Sequence, residues 1–281
     1  MNLTPIKTHK TCAGLTQFWE HESVSTATKM KFSTFIPSGA VKGCVIWLSG
    51  LTCTEENFIT KAGAQKYLEE QELMVICPDT SPRGLDLPQE HESYDFGSGA
   101  GFYIDATTIG YKDHYKMFTY ISEELHSLIQ KQFGIAGNKI SIMGHSMGGH
   151  GALVIGLRHP DKFQSISAFA PIANPIFCPW GQKAFLGYLG NTESLWKTYD
   201  ATALVQSGKR HPQVILIDQG KEDEFYKSKQ LLPENFQVAC QDHDQPVQLR
   251  LQEGYDHSYY FISTFIESHI KHHAQFIKTS I

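Results

Sequence analysis

The chain has 281 residues, of which 41% are hydrophobic and 19% are charged, so it can bury a sizeable core in one large domain or two small ones. A net charge of −5 without any basic block argues against a nucleic-acid partner. The first residues lack the apolar core of a signal peptide, and no apolar run is long enough to span a bilayer. Six separated cysteines without a Cys-x-x-Cys motif favour reduced thiols, so we expect a cytoplasmic protein with no membrane partner.

Strand and helix signals alternate along the chain. Alternating polarity predicts two antiparallel strands at 17–23 and 30–36. Further strands, mostly continuous apolar runs typical of strands covered on both faces, are predicted at 44–48, 73–77, 140–143, 165–170, 213–218 and 247–252. Helices are predicted at 57–70, 113–132 with Asp113 as N-cap, 152–157, 225–240 and 258–276. Long irregular stretches are predicted at 79–111 and 171–212, the second of which also holds short helical pieces.

This order predicts an α/β fold: a mainly parallel sheet that starts with an antiparallel pair and has helices on both faces. No repeat or linker divides it, so we expect a single domain over residues 1–281. Ligands bind beyond the carboxyl ends of the strands in such sheets, and the candidate catalytic loops all lie there.

The centre of the chain carries a Gly-x-Ser-x-Gly motif, Gly144 to Gly148, between a predicted strand and a predicted helix. That context is typical of a nucleophile elbow, in which Ser146 sits on a sharp turn above the sheet. A Cβ at Gly144 or Gly148 would collide with the neighbouring strand and helix. The alternative is a glycine-rich turn that only permits close packing, in a chain with 23 glycines.

A base and an acid follow the elbow in the loops after the last two strands. His257 is alone in the loop after 247–252 and can take the proton of the Ser146 hydroxyl. Asp223, after 213–218, would fix the imidazole tautomer, although Asp218, Glu222 and Glu224 compete for this role. The order Ser, Asp, His is that of α/β-hydrolases, and this fold is our expectation.

The tetrahedral oxyanion needs preorganised donors. The N–H of Met147 follows the nucleophile directly, and the loop after the first parallel strand should supply the N–H of Leu51.

The remaining histidines are expected to have structural roles. His145 and His150 flank the elbow as supporting or packing residues. His269, His272 and His273 share a helical face, which could suggest a metal. No carboxylate or cysteine nearby completes a site, so we expect a solvated face, no metal and no cofactor.

Five segments make the sequence resemble the S-formylglutathione hydrolases of the esterase D family: 48–58, 78–84, 95–103, 144–151 and 254–261. The resemblance implies a cytoplasmic serine hydrolase that cleaves the thioester S-formylglutathione to glutathione and formate, in formaldehyde detoxification. It implies Ser146, Asp223 and His257 as the catalytic triad. It also implies side activity on short-chain esters and a homodimer.

Two further residues are expected near the active site. Cys53 lies in the predicted oxyanion loop, close to Ser146, although free cysteines are more commonly buried and inert. Trp180 is a candidate wall of a small acyl pocket, with ordinary packing as the alternative. Two functional alternatives stay open: a short-chain carboxylesterase without a glutathione role, and a non-catalytic binding protein that has kept the fold.

Overall fold

The computed structural model describes residues 3–279 of the chain. Its strands are β1 (Lys7–Thr11), β2 (Gly14–Ser23), β3 (Thr28–Ile36), β4 (Gly43–Leu48), β5 (Leu73–Pro78), β6 (Ile140–His145), β7 (Ile166–Phe169), β8 (Ile215–Gly220) and β9 (Val247–Gln252). They form one sheet in the order β1-β2-β3-β5-β4-β6-β7-β8-β9. The six strands from β5 to β9 in this order run parallel, which confirms the mainly parallel sheet.

The helices are α1 (Glu56–Lys61), α2 (Gln65–Gln71), α3 (Met117–Thr119), α4 (His126–Phe133), α5 (Met147–Arg158), α6 (Pro179–Leu189), α7 (Glu193–Thr198), α8 (Ala201–Gln206), α9 (Glu224–Lys227), α10 (Pro233–Asp242) and α11 (Tyr259–Thr279). A π-helical segment, Tyr120–Leu125, joins α3 to α4. Helix α2 packs against α11, whereas α5 and α10 both pack against α8, so two groups of helices cover the sheet. Within residues 3–279, no helix is both long and apolar enough to cross a membrane.

The antiparallel part of the sheet is larger than the predicted pair. Strands β1, β2 and β3 form an antiparallel meander, and β3 also pairs antiparallel with β5. The sequence of β1, Lys-Thr-His-Lys-Thr, carries no apolar alternation, because this edge strand is mostly exposed. Its signal therefore could not be found by periodicity.

Three predicted helices have wrong bounds. The helix predicted at 57–70 is broken at Gly63, whose φ of +64° ends α1 before α2 begins. Asp113 is not an N-cap: residues 111–115 form a turn closed by the Tyr115 N–H and the Tyr111 carbonyl, and α3 begins at Met117. The helix predicted at 225–240 is split into α9 and α10, and Pro233 occupies the first turn of α10.

The carboxyl ends of the parallel strands lie along one edge of the sheet. The loop after β4 carries residues 49–54, the turn after β6 carries Ser146, and the loops after β8 and β9 carry Asp223 and His257. The fold therefore brings four distant parts of the sequence to one edge.

Candidate active site

Ser146 stands alone between β6 and α5 in a strained conformation. Its φ of +58° and ψ of −118° lie outside the regions that L residues ordinarily adopt. The turn is held on both sides, since the Ser146 N–H donates to the Phe169 carbonyl at 2.9 Å and the Ile172 N–H donates to the Ser146 carbonyl at 3.2 Å. Strand β7 and the segment that follows it thus hold Ser146 in a backbone geometry that an isolated turn would not keep.

The glycines of the motif are sterically required, as the sequence predicted. A Cβ on Gly144 would lie 2.2 Å from the Gly148 carbonyl oxygen, and one on Gly148 would lie 1.9 Å from the Leu48 carbonyl oxygen. Real Cβ atoms do not approach backbone oxygens this closely, so the crossing of β4, β6 and α5 needs glycine at both positions.

Asp223 and His257 are hydrogen-bonded to each other. His257 Nδ1 lies 2.5 Å from Asp223 Oδ2. Burial raises the pKa of Asp223, but the hydrogen bonds from His257 and Gln219 outweigh burial and lower it. Because the carboxylate is ionised, Nδ1 of His257 is the donor in this hydrogen bond, and the tautomer that this bond selects has its acceptor at Nε2.

Asp223 differs from the competing acidic residues in its position at the start of α9. Its Oδ1 accepts the N–H groups of Phe225 at 2.8 Å and Tyr226 at 3.2 Å, as an N-cap does. Glu222 and Glu224 point outward and pair with Lys227. The loop therefore holds Asp223, and not the longer side chains of Glu222 and Glu224, against the His257 ring.

Asp218 is buried elsewhere, in β8. Burial alone would raise its pKa, but hydrogen bonds from His269 and Arg250 lower the pKa to about 2. These partners hold its carboxylate away from His257.

Gln219 is a site residue that the sequence analysis missed. Its Nε2 donates to Asp223 Oδ2 at 3.1 Å and to the Gly220 carbonyl at 3.0 Å. Together with the two α9 N–H groups and His257, this gives the carboxylate of Asp223 four donors. A buried glutamine on a strand carries no sequence signal for this role, because the contact depends on how the following loop folds back.

The loops after β8 and β9 are in direct contact. The Glu222 N–H donates to the Tyr255 carbonyl at 2.9 Å. A Cβ on Gly220 would lie 2.4 Å from that same oxygen. Glycine at 220 therefore permits the approach that brings His257 to Asp223.

His145 and His150 are buried beside the elbow, as expected for supporting residues. The His145 ring lies 4.3 Å from the His257 ring between centroids, and burial followed by the nearby His257 lowers its pKa well below the usual value. His150 lies 3.0 Å from the Phe102 carbonyl, and burial lowers its pKa to about 4. Both imidazoles are therefore neutral at pH 7.

The loop after β4 lies against Ser146. A Cβ on Gly50 would lie 3.2 Å from Ser146 Cβ, so the backbone at Gly50 and Leu51 passes directly beside the serine. Among residues 3–279, neither the Leu51 N–H nor the Met147 N–H donates to a protein acceptor. Two backbone donors are thus free next to Ser146.

The irregular stretch 79–111 braces this loop. The Thr52 N–H donates to the Gly99 carbonyl at 2.9 Å, and the Tyr103 hydroxyl donates to the Ser49 carbonyl at 2.9 Å. Phe102 and Tyr103 are fully buried. The long segment is therefore packed structure that fixes the loop beside Ser146.

A cavity of about 360 Å³ joins these groups. It is lined by Gly50, Leu51, Thr52, Cys53, Asn57, Lys61, Tyr94, His145, Ser146, Trp180, Phe225, His257, Ser258 and Tyr259. Ser146 and His257 thus open onto the same space, together with Leu51, Cys53 and Trp180. Trp180 packs on Phe225 with centroids 4.6 Å apart, and Phe225 contacts the His257 ring at 4.8 Å, so aromatic rings form one wall.

The Cys53 thiol has no environment that would activate it. Burial raises its pKa, and the smaller opposing effect of Lys61 does not reverse the shift. A neutral thiol is a weak nucleophile at pH 7.

The prediction of a solvated histidine face on the last helix was wrong. His269 and His273 are fully buried, and both contact the Ser167 hydroxyl at 2.8 Å. His273 Nδ1 also lies 2.7 Å from Ser165, and His269 Nε2 lies 3.1 Å from Asp218. These residues form a polar network, which we call the α11 network, between α11 and the sheet.

The α11 network offers no metal site. In the described part of the chain, no group of three or more His, Cys, Asp or Glu side chains is arranged to hold a metal ion.

Comparisons with known proteins agree with this geometry. The sequence profile of the Esterase family, described as "Putative esterase", matches residues 23–272. The S-formylglutathione hydrolase of Rattus norvegicus is 54% identical over 99% of both chains. The chain belongs to the S-formylglutathione hydrolase family. The S-formylglutathione hydrolase of Arabidopsis thaliana is 50% identical over 97% of both chains.

A solved member of the S-formylglutathione hydrolase family has the same architecture. The enzyme from Agrobacterium tumefaciens superimposes with a TM-score of 0.94 at 43% identity, covering 99% of this chain and all of that one. This similarity confirms the α/β-hydrolase fold.

Proposed function

We propose that this chain hydrolyses the thioester S-formylglutathione to glutathione and formate, with Ser146 as nucleophile, His257 as base and Asp223 as the acid that orients it. The observation that carries the proposal is the Asp223–His257 hydrogen bond at the edge of a cavity that also holds Ser146. Family membership indicates which substrate this is, since the animal and plant relatives reported above are both S-formylglutathione hydrolases.

The reaction proceeds in two halves with balanced proton transfer. His257 Nε2 takes the Ser146 proton while Oγ bonds to the formyl carbon, giving a tetrahedral oxyanion. The C–S bond then breaks, and the imidazolium returns the proton to the leaving sulfur to release glutathione. Water attacks the formyl ester in the same way, the ester C–O bond breaks, and formate leaves as Ser146 regains its proton.

The oxyanion is stabilised by the N–H groups of Leu51 and Met147. Both are free in the described structure and border Ser146, and Met147 begins the twelve-residue helix α5. The positive end of the helix dipole adds to this stabilisation. Removing one such donor typically costs about 3–4 kcal/mol in the transition state.

Cavity size and shape favour a small acyl group. Trp180 and Phe225 form an aromatic wall beside His257, and the whole space is about 360 Å³. A formyl group fits beside this wall while the peptide part of the thioester extends outward.

A substrate comparison tests the proposal. Purified protein should show a higher kcat/KM for S-formylglutathione than for p-nitrophenyl acetate. A short-chain carboxylesterase, the alternative, would prefer the aryl ester. A clear preference for the aryl ester would contradict the glutathione role while leaving the hydrolase chemistry in place.

Three further properties of the protein stay predictions: a cytoplasmic location, a single domain over residues 1–281 and a homodimer. Light scattering coupled to size-exclusion chromatography would test the dimer, and a mass near 31.6 kDa would contradict it.

A further inference from the structure

The active-site cavity has an uneven charge distribution. Of its fourteen lining residues, Lys61 is the one with a permanent charge, and none is acidic. His145, one of the two histidines that line it, is held neutral by burial. The chain as a whole carries a net charge of −5, so this cavity is a positive feature on an acidic protein.

Lys61 is placed to meet a ligand. It occupies the last turn of α1, and its Nζ lies 5.7 Å from the centre of the Tyr259 ring, which also lines the cavity. Among residues 3–279, no carboxylate lies within 4 Å of this ammonium group, so its charge is not neutralised by an ion pair. A cation held over an aromatic ring, unpaired and facing the substrate space, favours an anionic ligand group.

S-formylglutathione offers two carboxylates, which differ in their surroundings. The γ-glutamyl carboxylate has an ammonium group on the same carbon, and Lys61 would repel that group. The glycine carboxylate has no neighbouring cation. We propose that Lys61 is a specificity residue that binds the glycine carboxylate of the thioester by an ion pair across the mouth of the cavity. This inference rests on the proposed function and names how the same site selects its substrate.

The test compares two thioesters: S-formylglutathione and its analogue in which the glycine carboxylate is an amide. The readout is the ratio of kcat/KM for the acid to kcat/KM for the amide. An exposed ion pair of about 0.2–1 kcal/mol predicts a ratio of about 1.4 to 5 in the wild type. Because both substrates keep the γ-glutamyl group and the formyl thioester, the ratio isolates the contribution of one charge.

Lys61→Met should reduce this ratio to about one, because it keeps the length of the side chain but removes the charge. Lys61→Arg should keep the ratio above one. Lys66→Met is the matched control, since Lys66 Nζ lies 5.8 Å from the Tyr67 ring in the same kind of contact but outside this cavity. It should retain the wild-type ratio.

Salt gives a second measurement on the unmodified protein. Raising the NaCl concentration should lower kcat/KM for the acid more than for the amide, because salt screens the ion pair. A wild-type ratio of one, or an undiminished ratio in Lys61→Met, would overturn the inference. If Lys61→Met does not fold, the wild-type ratio, its salt dependence and the Lys61→Arg result decide the matter.

Failure of the proposed function would look different. It would appear as a wild type that releases no glutathione from S-formylglutathione, before any variant is made, and it would overturn both proposals. Efficient hydrolysis of both thioesters at equal kcat/KM would overturn only the role of Lys61.

Discussion

Replacing Ser167 by alanine removes the hydroxyl that joins the two buried histidines of the α11 network. Asp218 is ionised, so it accepts from His269 Nε2, which leaves Nδ1 of that ring as an acceptor for the Ser167 hydroxyl. Ser167 Oγ in turn accepts from His273 Nε2. The alanine variant therefore leaves two buried groups without a hydrogen-bond partner: the acceptor Nδ1 of His269 and the donor Nε2 of His273.

The loss of folding stability can be worked out from these two unsatisfied groups. An unsatisfied buried polar group costs about 1–3 kcal/mol, so the free energy of unfolding should fall by about 2–6 kcal/mol. Domains of ordinary stability have about 5–15 kcal/mol in total. With a urea m-value of about 3 kcal/mol/M, the unfolding midpoint should fall by about 0.7–2 M. Urea unfolding monitored by circular dichroism at pH 7.5 measures this shift.

Ser122→Ala is the matched control. Ser122 is also fully buried, but its hydroxyl has no hydrogen-bond partner in the described part of the chain. Removing an unsatisfied hydroxyl should leave stability unchanged or raise it slightly. Equal destabilisation by the two substitutions, or a loss below about 1 kcal/mol for Ser167→Ala, would refute the reasoning.

Three further predictions concern the acid, the thiol and pH. Asp223→Asn should lower kcat by about 10³–10⁴-fold by disturbing the His257 tautomer, whereas Glu222→Gln and Glu224→Gln should stay near wild type; steady-state kinetics on an aryl ester decides, and an active Asp223→Asn would place the acid elsewhere. Bulky alkylation of Cys53 should block the cavity, so Cys53→Ala should be active and resist N-ethylmaleimide, and equal inactivation of both proteins would place the sensitive thiol elsewhere. Burial lowers the pKa of His269, and it lowers the pKa of His273 well below its usual value, so below pH 6.5 the unfolded chain binds protons that the folded chain does not. Stability should therefore fall from pH 6.5 to 5.5, by about 1 kcal/mol from His273 alone, and urea midpoints that are flat over this range would contradict this prediction.

The parts of the fold that the sequence predicted are those with a local cause. Continuous apolar runs predicted the central strands, and the strand β9 was placed at its observed bounds. The elbow glycines were predicted because a crossing of two strands and a helix leaves no space for a Cβ. The two loops with Asp223 and His257 followed from the rule that parallel strands end at one edge.

The parts that were wrong depend on distant partners. From the sequence, His269 and His273 are polar residues on one face of a helix. Their burial is explained by their hydrogen bonds to Ser165 and Ser167, at the start of β7. The role of Gln219 depends on a loop that folds back beneath it. Asp113 looked like an N-cap, but a turn at 111–115 displaces the start of the helix, and local sequence preference did not outweigh it.

Release of glutathione from S-formylglutathione by the wild type and by Ser146→Ala is the most direct test of the central claim. The substitution removes one oxygen from a residue that is 3% exposed, so the fold should persist, as circular dichroism can verify. We expect rapid release by the wild type and a rate lower by several orders of magnitude in the variant. A folded variant that keeps a tenth of the wild-type kcat would contradict the assignment of Ser146 as nucleophile.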